Sequence, residues 1–281
     1  MKTLGYYNGK YAELEEMSIP MNDRACYFGD GAYDASPSRN YKLFAIDDHL
    51  DRFFNSAGLL KIKMPVTKEE LKALLEEMVR KVDTGNNFVY YQVTRGTGIR
   101  NHAFTEGAGN LWLLIKPDEI EDGLTPIKLI TTEDTRFFHC NIKTLNLIPS
   151  VMAAQKAVEA KVNETVFYRP GGIVTECAYS NVSIIKDNTL RTHPNDNQIL
   201  PGIAKAHMID LCKKLEIPVN ETAFTLDDLY NAQEIIVTSS SNLIRRANEV
   251  DGKAAGGKAP ELYERIRKAV MDEFYDATPA D

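Results

Sequence analysis

The chain is short of the features that assign a protein quickly. Its four cysteines, Cys26, Cys140, Cys177 and Cys212, show no C-x-x-C spacing. That argues against structural zinc and a disulfide framework, and for free or buried thiols in a reducing cytosol. The five histidines form no H-E-x-x-H or related pattern, so no metal site is expected. A basic stripe is missing too. Net charge is −7 and Arg245-Arg246 is the only adjacent arginine pair, so nucleic acid is not an expected partner. The longest apolar run, Leu111 to Ile115, is far too short to span a bilayer. The first residues, MKTLGYYNGKYAELEEM, hold no apolar core of a signal peptide, so the expected location is cytoplasmic and no membrane partner is expected.

What is present is an ordinary globular composition: 281 residues, 43% hydrophobic and 26% charged, enough for one large domain or two of usual size. Thr3 to Tyr7 reads as a strand that ends in the hairpin signal Asn8-Gly9. Asp47 to Leu60 carries Leu50, Phe53, Phe54 and Ala57 on one helical face. Thr67 and Glu70 form a capping box for a helix through Val82. Phe88 to Arg95 and Leu111 to Lys116 read as strands. The acidic, proline-bounded PDEIEDGLTP then breaks the pattern. Strands follow at Ile127 to Thr132, Thr165 to Tyr168, Val182 to Ile185 and Ile235 to Thr238. Helices follow at Ser150 to Lys161, Ile203 to Leu215, Thr225 to Ala232 and Pro260 to Phe274. Strands and helices do not alternate strictly, so the expected class is α+β. The expected domains are 1–118 and 126–281, with 119–125 as linker.

Several segments carry candidate chemistry. In CNIKTLNLIP, Lys143 sits among apolar residues and either points to water or is held as a reactive amine. Gly202 precedes a helix whose first N–H groups, at Ile203 and Ala204, suit a phosphate, although a plain Pro-Gly turn would read the same. Ser239 to Ser241 follow a strand and are either phosphate donors or a polar loop. Arg52 offers a guanidinium fork or is simply solvated. Glu176 lies in a small, apolar stretch, where a carboxylate must be paired or functional. Arg100 and His102 alternate on a glycine-containing loop and could bind a carboxylate or be surface charge. Taken together these are the parts pyridoxal phosphate needs: a lysine, an acid for the pyridine nitrogen and a phosphate cradle.

On the stretches DRACYFGDGAYD, HLDRF, QVTRGTGIRNHAF, CNIKTLNL, VTECAYSNV, ILPGIAKA and IVTSSS, the chain resembles the class IV aminotransferases. These are the fold-type IV pyridoxal phosphate enzymes, and within them it is most similar to the bacterial D-amino acid aminotransferases. The likeness runs over nearly the whole chain. It implies an N-terminal α/β sandwich, a C-terminal pseudo-barrel, a cofactor cleft between them and a homodimer. It implies that Lys143 is the Schiff-base lysine, that Glu176 pairs with the pyridine nitrogen and that Arg52 holds the phosphate, with Leu200 on the ring. Ile203, Ala204, Ser240 and Ser241 complete the cofactor set. Tyr33, Arg100 and His102 would take the substrate α-carboxylate, the last two from the neighbouring subunit. The implied substrates are a D-amino acid and a 2-oxo acid such as 2-oxoglutarate. Aminodeoxychorismate lyase and L-branched-chain aminotransferase are the alternatives on this fold; Arg100 and His102 argue against the lyase.

Three departures touch the pocket. Asp34 to Arg39 replace the usual apolar run and include Pro37, which cannot donate to a strand ladder. Ala204 stands where a threonine often offers a hydroxyl. Arg245 and Arg246, if turned to the substrate, would favour acidic side chains; otherwise they are solvated.

Overall fold

A computed structural model describes residues 1–280, in two compact units. The first comprises Met1–Glu119, Ile142–Asn146 and the residues from Tyr275; the second comprises Ile120–Asn141 and Leu147–Phe274. The stretch expected to be one C-terminal domain, 126–281, is therefore interrupted: five residues around Lys143 and the C-terminal tail cluster with the first unit.

The first unit is a six-stranded antiparallel sheet backed by helices. Its strands are β1 (Leu4–Tyr7), β2 (Lys10–Ala12), β3 (Gly31–Arg39), β4 (Lys42–Leu43), β5 (Asn87–Thr94) and β6 (Asn110–Pro117), in the order β2-β1-β6-β5-β3-β4. Asn8 and Gly9 take positive φ of 44° and 92°, which a tight β1–β2 turn requires. Helix α1 (Arg24–Phe28) is a short turn before β3; α2 (Ile46–Leu59) and α3 (Lys68–Met78) cover one sheet face. Leu50, Phe53 and Ala57 of α2 are fully buried, with Phe54 half-buried. They meet Val89, Tyr91 and Val93, the alternate residues of β5, and Leu111, Leu113 and Ile115 of β6. The Thr67–Glu70 capping box is present on α3, which continues as a 3-10 turn from Val79 to Lys81.

Strand β3 runs straight through Pro37. The Pro37 carbonyl accepts from the Phe44 N–H on the side away from β5. The main-chain nitrogen of a strand residue faces the same side as its carbonyl, so the missing N–H costs β3 nothing on its long pairing with β5.

In the second unit the strands are β7 (Ile127–Glu133), β8 (Glu164–Arg169), β9 (Ile173–Cys177), β10 (Asn181–Lys186), β11 (Thr189–Thr192), β12 (Val219–Asn220), β13 (Glu234–Thr238), β14 (Arg245–Val250) and β15 (Lys253–Ala254). The order is β12-β11-β10-β13-β14-β7-β8-β9, with β15 on β14. Helices α4 (Ile148–Glu159), α5 (Ile203–Lys214), α6 (Leu226–Asn231) and α7 (Pro260–Ala277) accompany it, the last residues of α7, from Tyr275, clustering with the first unit. In that order β9 and β10 stand five places apart, about 24 Å in a flat sheet. Only four chain steps, about 14 Å, separate Cys177 from Asn181. The sheet must curl to bring its edge β9 back to β10, and the expected pseudo-barrel is the result. Val166, Val174, Val182, Ile184, Ile235 and Val237 fill its core. Gly123, in the expected linker, has φ 73°, and a Cβ there would lie 2.5 Å from the Ile244 carbonyl oxygen, so only glycine fits. Among the described residues no helix is long and apolar enough to cross a membrane.

Candidate active site

In the first unit Lys143 rides on the end of β3. The Tyr33 N–H donates to the Lys143 carbonyl at 3.0 Å and the Leu145 N–H to Gly31 at 3.1 Å. The Lys143 N–H in turn donates to the Ser56 hydroxyl of α2 at 3.1 Å. The main chain is thus fixed on two elements, while the amine lies 4.3 Å from the centre of the Tyr33 ring. No carboxylate pairs with Nζ among the described residues. Tyr33 stacks on Tyr90 at 5.3 Å, and Tyr90 donates its hydroxyl to Gln92.

Arg52 is not solvated. It is buried and makes a two-point contact with Asp34, Nε to Oδ2 at 2.8 Å and Nη2 to Oδ1 at 2.7 Å. His49 Nδ1 lies 2.9 Å from the same carboxylate. Burial alone would raise the Asp34 carboxyl; Arg52 and His49 outweigh it and hold it well below the ordinary range. Burial also lowers the His49 pKa. Asp34 and His49 were not assigned from the sequence. The signal was there in HLDRF, where His49 and Arg52 are three apart and so share a helix face.

Arg100 and His102 stand on the loop after β5. The Arg100 guanidinium lies 5.2 Å over the Phe28 ring and the His102 ring packs 5.1 Å from it. Arg24 wraps the loop from below, donating to the carbonyls of Asn101, His102 and Ala103 while paired with Asp30. Both side chains are exposed, and among the described residues neither contacts Tyr33.

In the second unit Glu176 is a residue of β9, 5% exposed. Its Oε1 accepts from Arg136 Nη1 at 2.5 Å; its Oε2 accepts from Asn181 Nδ2 at 2.9 Å and from the Leu200 N–H at 3.0 Å. Arg136 also clasps Asp134 through Nε and Nη2. Burial would raise the Asp134 carboxyl, but Arg136 outweighs it and lowers it. Arg136 and Asn181 were missed from sequence. An Asp-x-Arg at a strand end and the Asn of CAYSNV are their only marks.

Helix α5 begins at Ile203 with Gly202 as N-cap and no side-chain cap. Its first helical bond is Ala206 N–H to Gly202, so the N–H groups of Ile203, Ala204 and Lys205 precede the ladder. The serine run follows β13, half-buried, with Ser239 and Ser241 hydroxyls 3.2 Å apart. Thr238 Oγ1, just before it, is buried without a hydrogen-bond partner. Uncapped amides, hydroxyls and an orphaned buried oxygen are each donors of the kind a phosphate takes. Lys205 is the more deeply buried lysine, 1% exposed, and burial pushes it down to about 8. Its amine, however, donates to His193 O and Asn195 Oδ1. Arg245 is ion-paired with Glu121 at 3.2 Å and Arg246 lies over the Tyr263 ring at 5.6 Å; both are half-buried.

A profile of the family described as amino-transferase class IV matches residues 31–250. A D-alanine aminotransferase of Listeria monocytogenes is 38% identical over 279 residues, 96% of either chain. One from Bacillus licheniformis is 34% identical over 285 residues, 99% of either. Among solved structures, a branched-chain amino acid aminotransferase from Escherichia coli superposes with a TM-score of 0.89 at 20% identity, over 99% of this chain and 96% of that one. A second branched-chain enzyme, complexed with N-(5'-phosphopyridoxyl)-L-glutamate, gives 0.85 at 22% identity, over 96% and 94%. At such identities these two structures speak to the fold, which is the two-domain α+β fold type IV.

Proposed function

Because the chain belongs to the class IV aminotransferases, we propose that it exchanges the amino group of a D-amino acid of the D-alanine type with the oxo group of a 2-oxo acid such as 2-oxoglutarate, using pyridoxal 5'-phosphate. The observation that carries this reading is Lys143, whose main chain is pinned to β3 and α2 while its amine is left without an acid. Pyridoxal phosphate, when bound, supplies a carbonyl that condenses with amines and a ring that takes up charge from a deprotonated carbon.

The residues divide the remaining work. Lys143 Nζ would hold the cofactor, and its amine would take a proton from the substrate Cα. Glu176, as an anion, would hold a proton at the ring nitrogen, and Leu200 would lie against the ring. Arg52, the N–H groups of Ile203 and Ala204, and the hydroxyls of Ser240 and Ser241 hold the phosphate. Ala204 gives only its N–H. Tyr33, Arg100 and His102 take the α-carboxylate; an exposed guanidinium held over Phe28 supports this. The segment 119–125 acts as the linker between domains.

The chain works as a homodimer in which Arg100 and His102 serve the neighbouring site. Two surfaces support this, each on its own unit. Met21 and Ile99 are 90% and 91% exposed beside the Arg100 loop. On α4, Ile148, Val151, Met152 and Val158 turn outward with 72%, 56%, 58% and 67% exposure.

The absorption spectrum of the purified protein, before and after D-alanine and in parallel with L-leucine, tests the reading. Loss of the yellow band with D-alanine alone is expected. A response to L-leucine alone moves the activity to a branched-chain enzyme, and a yellow protein indifferent to both overturns the transamination reading.

A further inference from the structure

We propose that Asn181 is a positioning residue that fixes the span between the acid and the phosphate-holding amides of the cofactor site. This rests on the reading of Glu176 and the α5 N-terminus given above. The two lie 27 positions apart in sequence, from Glu176 to Ile203, and something must join them in space.

The Asn181 carboxamide does so. One Nδ2 hydrogen goes to Glu176 Oε2 at 2.9 Å and the other to the Leu200 carbonyl at 3.0 Å. The Leu200 N–H returns to Glu176 Oε2 at 3.0 Å, closing a ring of three hydrogen bonds. The amide orientation follows from chemistry, because a flipped amide would set Oδ1 against a carboxylate and a carbonyl, both acceptors. With Nδ2 so engaged, Oδ1 faces Gly202, the N-cap of α5. A Cβ at position 202 would lie 1.9 Å from it. One carboxamide thus touches the acid, the residue proposed to lie on the ring, and the cap of the phosphate helix.

The main chain of Asn181 reaches the remaining group. It pairs with Thr238 in the β10–β13 ladder, and Thr238 leads directly into the serine run. Asn181, Glu176 and Thr238 are buried, Asn181 with 5% exposure, while Leu200 and Gly202 are half-buried. Charge separates Asn181 from Arg136. Arg136 brings a positive charge to Oε1. Asn181 donates without one, so it fixes Oε2 in place and leaves the negative charge that the ring nitrogen needs. Aspartate here would repel Glu176, and alanine would release both it and Leu200.

The test compares two ligands on the cofactor-stripped protein: pyridoxal phosphate, and pyridoxal, which lacks the phosphate. Fixing a span matters only to a ligand held at both ends. Asn181→Ala should weaken pyridoxal phosphate about tenfold, with a smaller loss for pyridoxal. The visible band of the reloaded protein should also change its pH profile. Gly202→Ala, which keeps the carboxamide but displaces it, should give the same ligand-dependent loss and serves if Asn181→Ala does not fold. Equal losses for the two ligands, or none in a folded variant, overturn the proposal. Glu176→Gln is the control. If it leaves the spectrum of the bound cofactor unchanged, the assignment of Glu176 fails and the proposal falls with it. If it changes the spectrum while the Asn181 and Gly202 variants bind like wild type, only the proposal fails.

Discussion

Glu164→Gln should stabilise the protein in alkaline solution and do little in acid. Glu164 opens β8 and is 2% exposed. Its Oε1 accepts from the Thr165 N–H and its Oε2 from the Ser180 hydroxyl, and no cation pairs with it among the described residues. Burial pushes it up to about 7 from 4.5, against the pull of those hydrogen bonds. A raised acid binds its proton more tightly folded than unfolded, so the folded state holds the extra proton between about pH 4.5 and 7. Stability therefore falls as pH rises through that window. A gap of about 2.5 pH units corresponds to roughly 3 kcal/mol, an upper figure. Glutamine keeps an oxygen for Thr165 and a polar group for Ser180, which can turn to accept, and it never ionises. The Tm difference between variant and wild type should be small at pH 4.5, grow through neutrality and level off near pH 8. At ~2 °C per kcal/mol the plateau is about 6 °C. Thermal unfolding of both proteins across pH 4.5 to 8.5 measures it, and other titrating groups cancel in the difference. A flat difference, or a variant less stable than wild type at pH 8.5, would refute the reasoning.

Other substitutions probe the frame and the assembly. Asp34→Ala leaves the buried Arg52 without its carboxylate and should cost about 3–5 kcal/mol in denaturant unfolding; a loss under ~1 kcal/mol would mean Arg52 finds another partner cheaply. Phe53→Ala, which removes a fully buried ring packed edge-on to Tyr91 at 5.1 Å, should cost about 3–5 kcal/mol by the same measurement. If the proposed dimer uses the exposed face of α4, Val151→Glu should convert it to monomer in sedimentation velocity, and an unchanged dimer would place the interface elsewhere. Lys143→Ala should abolish transamination in a folded protein, and any retained turnover would remove Lys143 from its role.

Local rules explain what could be read in advance. The Asn8-Gly9 turn, the Thr67–Glu70 box and the alternation of β5 and β6 each depend on residues close in sequence. Strand β3 was harder because its buried face is polar, with Asp34, Ser36 and Ser38 inside, and because Pro37 reads as a breaker. Only the pairing with Phe44 shows that the proline nitrogen points off the ladder. Strand β14 begins with Arg245 and Arg246, whose charges mask an interior strand until Glu121 and Tyr263 are seen to receive them. Motifs single out Lys143, Glu176 and Arg52, but not the side chains they contact. Arg136 is 40 positions from Glu176 and Asp34 is 18 from Arg52. No spacing rule reaches so far.

The five residues from Ile142 to Asn146 group with the first unit although the chain on either side belongs to the second. Cutting the polypeptide after Glu119 would therefore not yield two independent proteins. A fragment ending at Glu119 would expose the end of β3, where Tyr33 and Gly31 now meet Lys143 and Leu145. The other fragment would carry its lysine on an unsupported loop. In a folding chain the same topology makes the amine a late arrival, because the segment that bears it is synthesised after β3 and α2 and has to return to them before it has a fixed position. Two such fragments should recover cofactor binding only when mixed, and the loop around Lys143 should be among the first sites a protease finds in either one alone.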